Sequence, residues 1–235
     1  MPDYFVMEEK IRAVTGGAWR PVAISFVDTP PPGVAPLEGM AASSCGYWPL
    51  AAGGRVFYTT AAQHQNCPVG GYTHNLLLPE TMPQLNQALD LMSGIGYVSM
   101  EEIPGIFRME KTCGAVVYAP LGEAPVEPSV VVTAGRPARV MLLAEAAHRA
   151  GASSSLPLLG RPTCMALPAA LAQGMVTSAG CTGARVYTGI GEDELYVVLR
   201  GADLEGIARE IDTIQSANQT LTGYHQERKQ RLSTV

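Results

Sequence analysis

The sequence predicts a mixed α/β (α+β) fold, in a single compact domain with a trace of two weakly related halves. Three observations predict it. β-branched runs bounded by breakers, "GAVVYAPL" (114–121), "PSVVVTA" (128–134) and "ELYVVLRG" (194–201), read as strands. Helical spacing of apolar residues marks "RPARVMLLAEAAHRAG" (136–151) and "DLEGIAREIDTIQSANQTL" (203–221). A chain of 235 residues that is 47% hydrophobic can also bury one sizeable core.

From the N-terminus, "MEEKIRAV" (7–14) has helical spacing, and "PVAISFV" (21–27) reads as a strand after a proline. "DTPPPGVAP" is a loop, because three consecutive prolines offer a sheet no amide donors. "CGYWPLAA" (45–52) is a short helical segment and "GGRVFYTT" (53–60) a turn and strand. "CPVGGYTHN" (67–75) reads as a glycine-rich loop. Residues 81–91 form a helix, with Thr81 placed to cap it and Pro83 in its first turn. The strand pair and the helix 136–151 follow, then a loop, "SSSLPLLGRP". "CMALPAALAQG" (164–174) repeats the short proline-containing helix, and Asp203 is placed to cap the closing helix.

Composition excludes several classes. The formal charge is −5, and the only dense basic stretch is "QERKQRL" (226–232), a solvated helix end, so nucleic acid is not expected. No segment reaches the ~18 uninterrupted apolar residues of a membrane span. "MPDYFVMEEKIRAV" is acidic early and lacks an apolar stretch, unlike a secretory leader. A reducing, cytoplasmic setting is therefore expected, and the five cysteines read as thiols or metal ligands before disulfides. Only 16% of residues are charged, which favours a surface covered by a second copy, a homo-oligomer.

Four cysteines fall into a weak repeat. "CGYWPLAAGGRVFYTTAAQHQNCPVGG" and "CMALPAALAQGMVTSAGCTGA" each run cysteine, proline-containing helix, glycine, short strand, cysteine, glycine. The implied half-repeats are 21–110 and 111–221. If both halves pack alike about a two-fold, the sulfurs of Cys45, Cys67, Cys164 and Cys181 converge. Thiolates are soft ligands, and four suffice for an iron–sulfur cluster, most simply 4Fe-4S. Gly70, Gly71, Gly180 and Gly183 would let backbone amides approach such a cofactor. Zinc is disfavoured because no close C-x₂-C pair exists. Buried, idle thiols are the plain alternative. Cys113 has no partner in the repeat.

Other candidates are weighed the same way. Cys181 could act as a nucleophile, its pKa lowered by Arg185, although Arg185 pairing with Glu192 or Glu194 is the simpler expectation. His64 and His74 flank Cys67 and could ligate a metal or move protons, His64 ahead of His74, against the plain reading of hydrogen-bonded loop residues. His148 suits a helix C-terminus, and His225 lies in the tail. Tyr47, Trp48, Phe57 and Tyr58 wall either a pocket or a core. "GEDEL" (191–195) reads as a solvated acidic turn.

The chain also resembles a known family. "PVAISF", Cys45, "CPVGG", "VVYAPL", "PSVVVTAGRPARVMLLAEAA", Cys164, "GCTGAR" and "EDELYVVL" are similar to the uncharacterised prokaryotic domain of unknown function 169, from about Pro21 to Arg200. "GCTGAR" and its spacing from the strand–helix are the most specific pieces. The resemblance implies a prokaryotic cytoplasmic protein and the four matched cysteines, but no activity. The leading expectation is a cluster-carrying protein that serves a redox partner or binds a small substrate. A metal-free small-molecule-binding protein and a thiol enzyme acting through Cys181 stand as alternatives, so an enzymatic role is left open.

Overall fold

The sheet is the frame on which everything else is placed. The computed structural model describes residues 2–152 and 161–232. In chain order the first half supplies α1 (Tyr4–Thr15), β1 (Val22–Val27), α2 (Tyr47–Ala52), β2 (Phe57–Thr59), α3 (Pro68–Thr73), α4 (Met82–Gly94) and β3 (Ala115–Pro120). The second supplies β4 (Val130–Gly135), α5 (Pro137–Arg149), α6 (Ala166–Gln173), β5 (Val176–Ser178), α7 (Thr182–Thr188), β6 (Leu195–Arg200) and α8 (Leu204–Leu232). All six strands join one antiparallel sheet in the order β2-β3-β1-β4-β6-β5. Read outward from the central β1–β4 pair, each half contributes its first strand, then its third, then its second.

Helices cover both faces, giving a single α+β body. Side chains alternate across a strand. Ala23, Val131, Val197 and Leu199 therefore pack under α1, α5 and the start of α8. Val22, Ile24, Val130, Val132 and Val198 pack against α2 and α6. With both faces covered, β3 and β4 are buried at every position, which explains their unbroken apolar runs. Val22 stands opposite Val132 and Ile24 opposite Val130, so the two halves share their central β-branched pairs.

Several expectations are corrected. "CPVGGYTHN" holds a helix, α3, rather than a loop: Pro68 is preorganised for a first helical turn, and the glycines permit close packing. Thr81 precedes α4, but its side chain makes no cap and instead donates to Gln65. Asp203, just before the closing helix, accepts from Arg200 at 2.8 and 2.9 Å. That helix, α8, runs beyond 221 to Leu232 and includes His225 and "QERKQRL". The loop expected at "SSSLPLLGRP" lies largely outside the described residues. Among the described residues no helix is long and apolar enough to cross a membrane.

Candidate four-cysteine site

The two halves meet on the α2/α6 face of the sheet. Cys45 sits in a 3-10 turn (Ser44–Gly46) that leads into α2, and Cys164 in a 3-10 turn (Thr163–Met165) that leads into α6. Cys67 is the N-cap of α3 and Cys181 the N-cap of α7. The packing is reciprocal, with α7 against the Cys45 turn and α3 against the Cys164 turn. Cys45, Cys67, Cys164 and Cys181 consequently line one cavity of about 230 Å³. All five cysteines are unbridged thiols.

Local bonds hold the sulfurs in place. Ser43 accepts the amide of Cys45 at 3.3 Å, and its hydroxyl lies 3.5 Å from Cys67 Sγ. In the other half the amide of Cys181 donates to Thr163 Oγ1 at 2.6 Å, tying this cysteine to the turn that carries Cys164. The amide of Ala184 donates to Cys181 Sγ at 3.4 Å. The Thr73 hydroxyl donates to the carbonyl of Gly70 at 3.0 Å, bracing α3.

The cavity is nearly all apolar. Its outer wall is Leu89, Met92, Tyr97, Val98 and Ile106, from the long segment between α3 and β3. Burial, then the neighbouring thiols, pushes Cys45 well above the ordinary thiol range and Cys164 up to about 12. These thiols are protonated at neutral pH. They ionise only beside a cation, since thiolates gathered in an apolar space repel one another. Past Tyr97, Arg161, Cys181 and Thr182 lies an open cleft of about 870 Å³. There Arg161 stacks over the Tyr97 ring at 4.9 Å and pairs with Glu102 at 3.4 Å.

Other sequence candidates fall elsewhere. His64 is fully buried behind the cysteines, with Nδ1 2.9 Å from Ser44 Oγ and Nε2 2.9 Å from Thr59 Oγ1. Burial, then His74, lowers its pKa to about 3, so it is no acid or base near neutral pH. Among the described residues, Arg185 makes no carboxylate pair with Glu192 or Glu194. It donates to the carbonyls of Gly191 (2.5 Å), Ala179 and Glu194, bracing the loops on either side of α7. Gly183 lines the cavity, and Gly180, at φ +77°, lines the adjoining cleft. Gly70 and Gly71 are packing glycines: a Cβ on Gly70 would stand 2.6 Å from Ser44 Oγ and 3.1 Å from Cys67 Sγ, and Gly71 abuts Leu77. Tyr47, Trp48 and Phe57 belong to the core. Cys113 sits half-buried at the core's edge, away from the cavity lining.

Two features escaped the sequence reading. The α4 segment is a cover for the cysteines, signalled only by its place between α3 and β3. His74 donates from Nε2 to the carbonyl of Cys164 at 3.2 Å, linking the halves, and nothing local marks that bond.

The family model of the uncharacterised family DUF169, described as "Uncharacterised ArCR", matches residues 10–210. The chain belongs to this family. The match spans all four cavity cysteines and all six strands, and stops within the first part of α8. No curated protein and no solved structure matches the chain.

The donor set bears on which metal centre fits. Among the described residues, no group of three or more His, Cys, Asp or Glu is gathered tightly enough to hold one metal ion. A single tetrahedral zinc needs such a gathering, because four sulfurs at ~2.3 Å from one ion nearly touch. A cubane cluster makes a different demand. Each thiolate binds a different iron, so the sulfurs need only face a common space, and all four cysteines line this cavity.

Proposed function

We propose that Cys45, Cys67, Cys164 and Cys181 hold an iron–sulfur cluster of the 4Fe-4S type. The observation that carries the reading is that four cysteines, two from each half, line one apolar cavity roofed by a separate segment. Bound there, such a cluster supplies one-electron transfer, or a site for a small substrate at an iron left open. The chain's own residues do the rest. The Ala184 amide donates to Cys181 Sγ and the Ser43 hydroxyl lies beside Cys67 Sγ, contacts that favour the thiolate form. Leu89, Met92 and Ile106 exclude water, and the Arg161 cleft is the approach for a small molecule or a redox partner. The matched placement of the cysteine turns and N-caps supports half-repeats at 21–110 and 111–221. Unbridged thiols fit a reducing cytoplasm.

The test is anaerobic purification and cluster reconstitution, followed by the visible spectrum and the iron, sulfide and zinc content. Brown protein with about four irons per chain is expected. Cys→Ala at any of the four positions should lower the iron bound, and Cys113→Ala should not. Colourless protein without iron after reconstitution overturns the reading.

A second reading is favoured by the cavity's continuity with the cleft beside Arg161 and Tyr97: a metal-free site for a small organic molecule. Within it, rapid alkylation of Cys181 would mark a thiol enzyme, and inert cysteines would mark simple binding.

A further inference from the structure

Beneath the four-cysteine cavity, on its sheet side, lies a second and much smaller chamber of about 10 Å³. Its wall includes Cys45, Cys164, Trp48, His74, Ser44 and Tyr118. Two of these carry unanswered polar atoms. Trp48 and His74 are each 2% exposed. Among the described residues, Trp48 Nε1 and His74 Nδ1 are two of the three buried side-chain N or O atoms with no hydrogen-bond partner. The third, Thr133 Oγ1, is not on this chamber wall. Buried polar atoms are nearly always paired, so two orphans at one void point to an occupant.

The chemistry of the two atoms defines that occupant. An indole nitrogen can only donate. His74 Nε2 faces the carbonyl of Cys164 at 3.2 Å, and a carbonyl only accepts, so Nε2 carries the ring proton. With Nε2–H committed to that carbonyl, the buried neutral ring carries no second proton on Nδ1. Nδ1 is therefore a bare acceptor. The chamber needs one molecule that accepts from Trp48 and donates to His74 at the same time. A halide or a diatomic gas cannot donate, and an ammonium ion cannot accept. The void is close to the ~10–15 Å³ that one water requires.

We propose that this chamber is a binding site for one water molecule, which accepts from Trp48 Nε1–H and donates to His74 Nδ1 on the inner side of Cys45 and Cys164. Its second O–H is then available to those two sulfurs, a donor placed on the inner side of the thiols. The site does not depend on what fills the outer cavity.

The test is nitrogen-15 NMR on the metal-free protein. The two indole resonances, from Trp19 and Trp48, are assigned with Trp48→Phe, or with Trp19→Phe if the first variant does not fold. The expected result is a Trp48 indole proton with a through-space cross-peak to long-lived water, and a neutral His74 protonated at Nε2. A Trp48 indole proton with no water contact, or a His74 proton on Nδ1, overturns the proposal. Either outcome stands whether or not the protein takes up iron, so this inference and the cluster reading fail separately.

Discussion

Ser44 Oγ lies 2.9 Å from His64 Nδ1, and this bond joins the turn that carries Cys45 to the turn that precedes Cys67. The other ring nitrogen meets Thr59 at the end of β2, so a neutral imidazole is satisfied by two hydroxyls, one donating and one accepting. Ser44→Ala leaves His64 Nδ1 buried without a partner. The expected cost is about 1–3 kcal/mol in urea denaturation, with Ser44→Thr milder if its hydroxyl keeps the bond.

The same burial makes stability depend on pH. His64 and His74 titrate near 6.5 when unfolded and at about 3 and about 4 in the folded chain. Because the folded values are depressed, both rings stay neutral in the native state while the unfolded state takes up protons. Stability is fully present above 6.5 and falls as pH drops from there toward 4 and then 3. Between pH 7 and pH 5 each histidine should remove about 2 kcal/mol. Denaturation curves at the two pH values check this. His74→Gln should be less stable at pH 7 but show a shallower pH slope, and an unchanged slope would contradict the buried, neutral ring.

How much of this was legible is best seen at the cysteines. The pattern of cysteine, proline-containing helix, short strand and second cysteine was readable twice, because proline and glycine punctuate the chain locally. The convergence of the four sulfurs needed the halves to pack reciprocally across β1 and β4, which no local signal encodes. α3 was misread because Gly70-Gly71 disfavours a helix on propensity, whereas tertiary packing against Ser44 and Leu77 requires the missing Cβ atoms. Arg185 was misread because its partners are carbonyls, and every residue has a carbonyl. The orphans at Trp48 and His74 were invisible for the opposite reason, since an absent partner leaves no trace in a sequence.

Gly70 offers a direct check of that packing. A methyl group there would meet Ser44 Cβ at 2.7 Å, and Ser44 is held by its bond to His64, so it cannot easily move aside. Gly70→Ala should destabilise by about 1–3 kcal/mol despite alanine's better helix propensity. It should also displace Cys67 and lower iron uptake on reconstitution. An equally stable variant would show that α3 has room the geometry denies.

Arg185 gives a second check, on the loops that present Cys181. Its guanidinium reaches Gly191 and Glu194 beyond α7 and Ala179 before it, a fork that an ammonium cannot reproduce. Arg185→Lys should cost about 1–2 kcal/mol and speed alkylation of Cys181, as the strapped loops loosen. Slower alkylation would instead assign Arg185 a part in activating the thiol.

The last prediction concerns the opposite face, where a charge is buried far from any thiol. Glu8 on α1 is 2% exposed. It accepts from Arg20 at 2.7 Å, just before β1, and from the amide of Gly122 at 2.6 Å, just after β3. One carboxylate thus fastens a helix to the ends of two paired strands. Removing it strands the Gly122 amide in a dry site, but Arg20 keeps Glu123 at 3.1 Å and some access to water. Glu8→Ala should therefore cost about 2–4 kcal/mol, toward the lower part of the range for breaking a buried pair. Glu8→Gln should recover part of the loss by still accepting from Gly122. Because α1 packs under the sheet and the cysteines lie above it, both variants should keep wild-type iron content per folded chain. Loss of iron at full folding would mean that the two faces communicate through the sheet.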